Sequence, residues 1–139
     1  MKHKQFGEKY IIRIEKGEEI VATLIKFCQE QKITLGTISG IGATNQAIIG
    51  LFKTDQKEYI SQEFTGDYEI TSLLGNISQK NGEVYPHLHA TLADANNIGY
   101  GGHLTSAVVS ATFEAVLQKI NGQIDRQFDK EIGLNLLKI

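Results

Sequence analysis

The stretch Leu104–Ile120, LTSAVVSATFEAVLQKI, decides the fold because its apolar residues recur at alternate positions. In an extended chain one face of this stretch would carry Val109, Ala111, Phe113, Ala115 and Leu117. The opposite face would carry Val108, Ser110, Thr112, Glu114 and Val116. This alternation predicts a half-buried β-strand, and the alanine content leaves a helix as the alternative.

Sequence of the same character extends on both sides of this stretch. Further strands are predicted in segments rich in Ile, Val, Thr, Phe, Tyr and Leu, separated by Gly, Asn and Asp: Tyr10–Ile14, Ile33–Gly42, Gln46–Lys53, Glu58–Ile60, Glu63–Ser78, Glu83–Ala93 and Gln123–Asp129. Asn81-Gly82 predicts a hairpin turn. We expect the apolar tail Gly133–Ile139 to pack on the body of the protein or on a neighbouring subunit.

One segment has helical rather than strand periodicity. A stripe with a spacing near 3.6 residues is formed by Ile20, Leu24, Phe27 and Gln31, flanked by the apolar residues Val21, Ile25 and Cys28. The preceding Lys16-Gly17-Glu18-Glu19 predicts the helix start, with Gly17 as the N-cap. The predicted fold class is therefore α+β, in which one main helix packs against a curved, mainly antiparallel sheet. No linker or repeat divides the chain, which predicts one domain over residues 1–139.

The composition is that of an ordinary globular protein, with 41% hydrophobic and 22% charged residues. The net charge of −2 gives no general attraction to nucleic acid, whose phosphates need a cationic surface. Cys28 is the only cysteine, so no intrachain disulfide can form, and we expect a small buried hydrophobic residue there. There is no apolar leader and no apolar run of about 18 residues, so we expect a cytoplasmic protein.

Three of the four histidines fall within seventeen residues, in Pro86–His89 and Gly101–His103. His87 and His89 are two residues apart, so a strand would direct both side chains to the same face. A polar, glycine-rich turn follows, and there the chain could fold back to bring His103 to the pair. Three imidazoles at one point are typical ligands of a divalent metal, with zinc the leading candidate.

The alternative is that these histidines are ordinary polar residues on a strand and at a turn. A fourth protein ligand is not evident, and three ligands would leave one position for water or substrate. Candidates for a supporting carboxylate are Glu69, Asp94 and Glu114, each of which could equally be a solvated acid. Glu114 is the candidate catalytic residue, because it lies among apolar strand residues where an unpaired charge would be costly.

Two glycine-rich segments invite comparison with nucleotide-binding loops. Gly99-Tyr100-Gly101-Gly102 lacks the Gly-x-x-x-x-Gly-Lys-Ser/Thr form, and Ser39-Gly40-Ile41-Gly42-Ala43 lacks a following helix. For both we expect tight turns and close backbone packing instead. No Gly-x-Ser-x-Gly elbow is present, so nothing in the sequence favours a serine hydrolase.

Four segments together resemble the PPC domain (plants and prokaryotes conserved domain, also called domain of unknown function 296). The resemblance extends over about residues 6–130 and rests on Ser39–Ala43, on Gly66–Ile70 with Ser72–Gly75, on His87–Ala90 with Asp94, and on Gly101–Leu104. It implies a homotrimer of α+β domains with a fold similar to that of acetolactate decarboxylase and of a related zinc-dependent ester hydrolase. In those enzymes a His-x-His pair and a later histidine hold zinc, which implies the same role for His87, His89 and His103.

The resemblance also leaves a second class of function open. Plant members of the family carry an AT-hook, a basic segment that enters the minor groove of DNA, but the only proline here is Pro86 and no such segment is present. We therefore expect a protein with a three-histidine divalent metal site, whose activity the sequence does not determine and for which metal-dependent chemistry on a small molecule is one candidate. The alternatives are a DNA-associated or protein-interaction module without catalysis, and a purely structural assembly domain.

Overall fold

The computed structural model describes the whole chain, Met1–Ile139. It contains one helix and eight strands, in the order β1 (Lys2–Phe6), β2 (Lys9–Glu15), α1 (Ile20–Glu30), β3 (Gly36–Lys53), β4 (Glu58–Lys80), β5 (Glu83–Ala93), β6 (Gly99–Lys119), β7 (Arg126–Asp129) and β8 (Leu134–Leu137).

Six of the strands form one antiparallel sheet in the order β1-β2-β6-β3-β4-β5. The N-terminal end of β6 pairs in addition with β5, so that β3, β4, β5 and β6 close on themselves. Helix α1 packs against β5 and β6. The predicted fold class, a curved and mainly antiparallel sheet with one main helix, is confirmed.

The stretch that opened the sequence analysis lies in β6, and the helix alternative for it is wrong. Val109, Phe113 and Leu117 are buried as the alternation predicts. Ala111 is exposed instead of buried. It lies beside the register shift between Gly42 and Thr44, where a bulge interrupts the regular alternation of faces.

Fewer and longer strands are present than were predicted: a bulge lies at the predicted gap in β3, whereas β4 pairs regularly with β3 through Ser61 and Gln62. Two predicted pairs of strands merge into the continuous strands β3 and β4. The segment around Gly42 is not a turn but part of β3, packed closely on β6. A Cβ at Gly42 would stand 2.7 Å from the Cα of Phe113. The expectation of close backbone packing is therefore correct, and the expectation of a tight turn there is wrong.

Two local features differ from the sequence predictions. Strand β1 was not predicted because all five of its residues are exposed, so it has no apolar alternation and is held as an edge strand by pairing with β2. The helix N-cap is Glu19 and not Gly17. The Glu19 carboxylate accepts hydrogen bonds from the N–H groups of Val21 and Ala22. Glycine has no side chain that could accept them.

The core lies between the inner face of the sheet and the helix. Its largest fully buried side chains include Phe27, Phe113, Ile12 and Leu24. Cys28 belongs to the same core, as expected, and burial raises the pKa of its thiol to about 12. The thiol therefore stays protonated and packs as a small apolar side chain.

The C-terminal residues form a small hairpin of their own. Strand β7 pairs with β8 in antiparallel fashion. The hairpin is fastened to the body, since the Gln79 N–H of β4 donates to the carbonyl oxygen of Ile124 at 3.0 Å. The apolar tail forms β8 and pairs with β7 of the same chain, and packing on a neighbouring subunit stays a prediction.

Candidate metal centre

Two neighbouring strand segments supply the three histidines. His87 and His89 lie on the outer face of β5, while the intervening Leu88 and the following Ala90 are buried on the inner face. His103 lies near the start of β6, directly opposite His89 in the antiparallel register. Residues that face each other across two strands place their side chains on the same side of the sheet. The strand and turn spacing seen in the sequence therefore brings all three imidazoles together.

The turn between β5 and β6 is organised by Asp94. One of its carboxylate oxygens accepts hydrogen bonds from the N–H groups of Asn96 at 2.8 Å and Ile98 at 3.0 Å. The other accepts a hydrogen bond from the hydroxyl of Tyr100 at 3.1 Å. These bonds, led by that from Ile98, hold the pKa of Asp94 below its ordinary value. Asp94 therefore acts by fixing the hairpin, and it is not a member of the histidine group.

The three rings form a compact triangle. Their centroids are 5.2 Å apart for His87 and His89, 5.3 Å for His87 and His103, and 5.6 Å for His89 and His103. One ligand nitrogen from each ring can be chosen so that all three lie within 4.8 Å of one another. Small side-chain rotations would bring such nitrogens to the distance of about 2.0–2.1 Å from a shared ion that zinc requires.

One ring nitrogen in this triangle has no partner. Nδ1 of His103 is buried, and no group of the protein donates a hydrogen bond to it or accepts one from it. An unsatisfied buried polar atom costs about 1–3 kcal/mol, and such atoms are uncommon in folded proteins. A metal ion among the three rings would satisfy it, so the residues present fit the ion that the resemblance implies.

The electrostatics of the triangle favour neutral imidazoles. Burial, followed by the proximity of His87 and His89, lowers the pKa of His103 to about 4. Burial and the nearby charge of Arg126 also lower the pKa of His87. Both rings are therefore neutral near pH 7, and the neutral form is the one that coordinates metals.

Further side chains that the sequence did not reveal surround the histidines. The ring of Tyr59 lies 5.4 Å from that of His103. Asn76 is the cross-strand partner of His87, and it accepts a hydrogen bond from Arg126 at 2.8 Å. Arg126 also lies 4.8 Å from the centroid of the Tyr85 ring. No sequence motif marks these residues, and Tyr59 and Arg126 are also far from the histidines along the chain.

The other carboxylate candidates lie elsewhere. Glu69 and Glu114 are both exposed, and neither joins the group of potential ligands. Glu114 is on β6 eleven residues beyond His103, on the order of 30 Å along an extended strand. It lines two surface depressions of about 410 and 580 Å³. The argument that Glu114 would carry a costly buried charge is wrong, because its side chain faces solvent.

Comparison with known proteins places this geometry in a family. The model of the Plants and Prokaryotes Conserved (PCC) domain matches residues 1–121. Two "Bifunctional protein GlmU" sequences from Synechococcus strains are 28% identical over 127 residues and 31% identical over 113 residues. The matched regions are 89% and 78% of this chain but only 19% and 16% of those proteins, so the chain spans less than a fifth of the length of these curated relatives.

Several solved structures share the fold of this chain over nearly its whole length. A candidate DNA-binding protein from Bacteroides thetaiotaomicron is 36% identical with a TM-score of 0.96, covering 99% of this chain and 96% of that one. A metal-containing protein from Archaeoglobus fulgidus is 35% identical with a TM-score of 0.89, covering 97% and 96%. A plant- and prokaryote-conserved (PPC) protein from Pyrococcus horikoshii is 34% identical with a TM-score of 0.88, covering 96% and 92%.

A more distant likeness concerns the fold alone. Acetolactate decarboxylase from Bacillus subtilis is 15% identical with a TM-score of 0.54, covering 79% of this chain and 52% of that one. The single helix is too short to cross a membrane.

The family model covers most of the chain, and relatives about one-third identical share its fold end to end. The chain belongs to the Plants and Prokaryotes Conserved (PCC) domain family.

Proposed function

We propose that this PCC-domain protein, as one domain over residues 1–139, binds a divalent metal ion through His87, His89 and His103. The observation that carries the proposal is the buried, unpartnered Nδ1 of His103 in a triangle of three histidine rings. The relative from Archaeoglobus fulgidus, described as metal-containing, supports it. Zinc is the leading candidate, because it commonly takes imidazole nitrogens and accepts three protein ligands.

The proposed activity is metal-dependent chemistry on a small molecule. A zinc ion held by three protein ligands supplies a Lewis acid, and it lowers the pKa of a bound water to about 7. The chain's own contribution is to hold His87 and His103 neutral through burial, which lowers the pKa of each, and to place His89 beside them. Glu114 stays the sequence-based prediction for a catalytic acid or base. Within one chain its side chain does not reach the histidines. A Glu114→Gln variant tests the predicted catalytic role directly.

Metal analysis of protein purified without an affinity tag tests the metal site. We expect about one equivalent of divalent metal per chain, either as purified or after zinc addition and desalting, because three histidine ligands suffice for one ion. His103→Ala should lose that metal, whereas His3→Ala, which removes an exposed histidine outside the triangle, should keep it. A wild-type protein that neither contains nor takes up zinc or another divalent ion would contradict the proposal.

A DNA-associated role is the second candidate. It is favoured by the relative from Bacteroides thetaiotaomicron, which is described as a candidate DNA-binding protein. It is opposed by the net charge of −2. Mobility-shift titrations across a range of salt concentrations separate the two roles, since specific binding that persists near physiological salt would favour the DNA-associated role.

We also propose that the chain forms a homotrimer in a reducing, cytoplasmic compartment. The outer face of the sheet presents large exposed apolar side chains, including Ile11, Ile41, Leu74 and Val116. Leu74 is the cross-strand partner of His89, so this face borders the proposed metal site. Light scattering coupled to gel filtration should give three times the mass of one chain, 15.4 kDa.

A further inference from the structure

Arg126 is a buried cation without an anionic partner. The residue is only 8% exposed, and none of the four ion pairs in the structure includes it. Its charge is instead stabilised by neutral groups. Nε donates to the Ser78 hydroxyl at 2.8 Å, Nη1 to the Asn135 carbonyl at 2.9 Å and Nη2 to the Asn76 amide oxygen at 2.8 Å. The guanidinium also lies over the ring of Tyr85.

This hydrogen-bonding leaves capacity for a ligand. A guanidinium has five N–H donors, and the three bonds above use only three of them. Buried arginines are usually paired with a carboxylate, because burying a full charge against dipoles alone is costly. The structure therefore holds a positive charge, with two donors to spare, that no acid of the chain neutralises.

Two contacts place this charge beside the proposed metal centre. Asn76, which accepts from Arg126, is the cross-strand partner of His87. Tyr85, on which Arg126 stacks, lies two residues before His87 and therefore on the same face of β5. Arg126 itself comes from the hairpin beyond the residues matched by the family model, which end at position 121.

The charges around the three histidines also favour an anionic ligand. The potential ligand group contains three histidines and no carboxylate. Three neutral imidazoles would leave both charges of a divalent ion uncompensated, and Arg126 adds a third positive charge nearby. A region of this kind attracts anions, and guanidinium donors match the paired oxygens of carboxylate and phosphate.

We propose that Arg126 is a specificity-determining residue that selects a small oxyanion, a carboxylate or a phosphate, as the ligand of the three-histidine centre. This inference rests on the proposed function, since the anion is taken to bind beside the metal. The other reading of Arg126 is a structural clamp that only fastens the C-terminal hairpin to β4. The two readings differ in what happens to anion affinity when the guanidinium is replaced.

Visible absorption of the Co²⁺-loaded protein tests the proposal. Acetate and inorganic phosphate are titrated separately, so that the carboxylate and the phosphate are distinguished, and neutral acetamide serves as the control for acetate. In the wild type we expect at least one anion to shift the Co²⁺ bands at concentrations where acetamide does not. Arg126→Gln should weaken that binding by about tenfold or more, the usual value of a charge-assisted hydrogen bond. Arg126→Lys keeps the positive charge but loses the paired N–H donors of the guanidinium. Its anion affinity should lie between those of the wild type and Arg126→Gln.

The outcomes separate this proposal from the metal site itself. An Arg126→Gln protein with full Co²⁺ content and wild-type anion affinity would overturn the role of Arg126 and leave only the clamp. A wild type whose Co²⁺ bands respond to neither acetate nor phosphate more strongly than to acetamide would overturn it even if the variant fails to fold. Failure of the wild type to take up Co²⁺ would contradict the metal site instead. Phosphate-induced change in tyrosine fluorescence of the metal-free protein, abolished in Arg126→Gln, would then decide the anion claim.

Discussion

His103 combines two properties that a purely structural histidine rarely combines. Its Nδ1 is buried without a hydrogen-bond partner, and burial together with the other two histidines lowers its pKa to about 4. A structural histidine would be expected to satisfy both ring nitrogens. Burial, followed by the proximity of His87 and His89, favours the neutral ring of His103, and a neutral imidazole has one nitrogen with a free lone pair that can bind a metal.

The low pKa of His103 predicts how the metal-free protein responds to acid. The unfolded chain has a pKa near 6.5 for this histidine and the folded chain about 4, so below pH 6.5 the unfolded state binds more protons. Stability must then fall as the pH drops from about 6.5 towards 4. We expect urea denaturation in the presence of a chelator to show a larger loss between pH 7.5 and pH 5 for the wild type than for His103→Gln.

The comparison of these two proteins is needed because other groups also lose stability in acid. Asp94 and Glu18 have lowered pKa values of their own, and both are present in the variant as well. Near His103 the facing groups are His87 and His89 on β5 and the Tyr59 ring on β4. Equal pH dependence of the wild type and the variant would contradict the low pKa.

The histidines could be predicted from the sequence at this scale, but their surroundings could not. The His-x-His spacing and the following glycine-rich turn are local signals, because strand geometry converts them directly into position. Arg126 and Tyr59 reach the same region only through the hairpin β7–β8 and the bend of the long strands. Glu114 was misjudged because alternation along one strand does not say which face is covered.

The β5–β6 hairpin is the element that builds the site. Asp94 fixes its turn, and the register then sets His89 opposite His103. Next to His103, β6 lies very close to β3, where Gly102 passes the backbone of Gly50. A Cβ at Gly102 would stand 2.5 Å from the carbonyl oxygen of Gly50, so any side chain there would push the strands apart.

This close approach predicts different effects for two neighbouring glycines. Gly102→Ala should lower the free energy of unfolding by about 1–3 kcal/mol, the usual cost of overpacking, and weaken metal binding by displacing His103. Gly101→Ala is the matched control, because its Cβ would meet the Thr91 Oγ1 at 3.4 Å and the Ala90 carbonyl oxygen at 3.6 Å, both ordinary contact distances. Denaturation curves and zinc titrations of the two variants check the prediction. Equal behaviour would mean that the hairpin does not position His103 as described.

Most elements could be predicted from the sequence, and the exceptions have physical reasons. The helix, the β5 segment and the Asn81-Gly82 turn are confirmed, and both turn residues adopt positive φ, at 53° and 81°. Strand β1 has no buried face, so its sequence lacks the alternation of apolar and polar residues that would predict a strand. The length of β3 was missed because a bulge looks like a break in the pattern, although the backbone pairing continues through it. The length of β4 was missed because the exposed polar residues Ser61 and Gln62 interrupt the apolar pattern without interrupting the pairing.

At the scale of the whole molecule, the site depends on closure of the sheet. Strand β6 pairs with β3 over most of its length and with β5 at its beginning, and His103 lies where it pairs with both. No local pattern predicts such a closure. The family resemblance, confirmed over residues 1–121, implied a curved antiparallel sheet but not this closure.

Anomalous X-ray scattering from zinc-soaked crystals of the untagged protein is the most direct test of a three-histidine metal centre. We expect a single strong peak at the zinc edge, about 2.0–2.1 Å from one nitrogen of each of His87, His89 and His103, with Nδ1 of His103 no longer unpartnered. A map without a peak among these three rings, at a zinc concentration that saturates other histidine sites, would contradict the central claim.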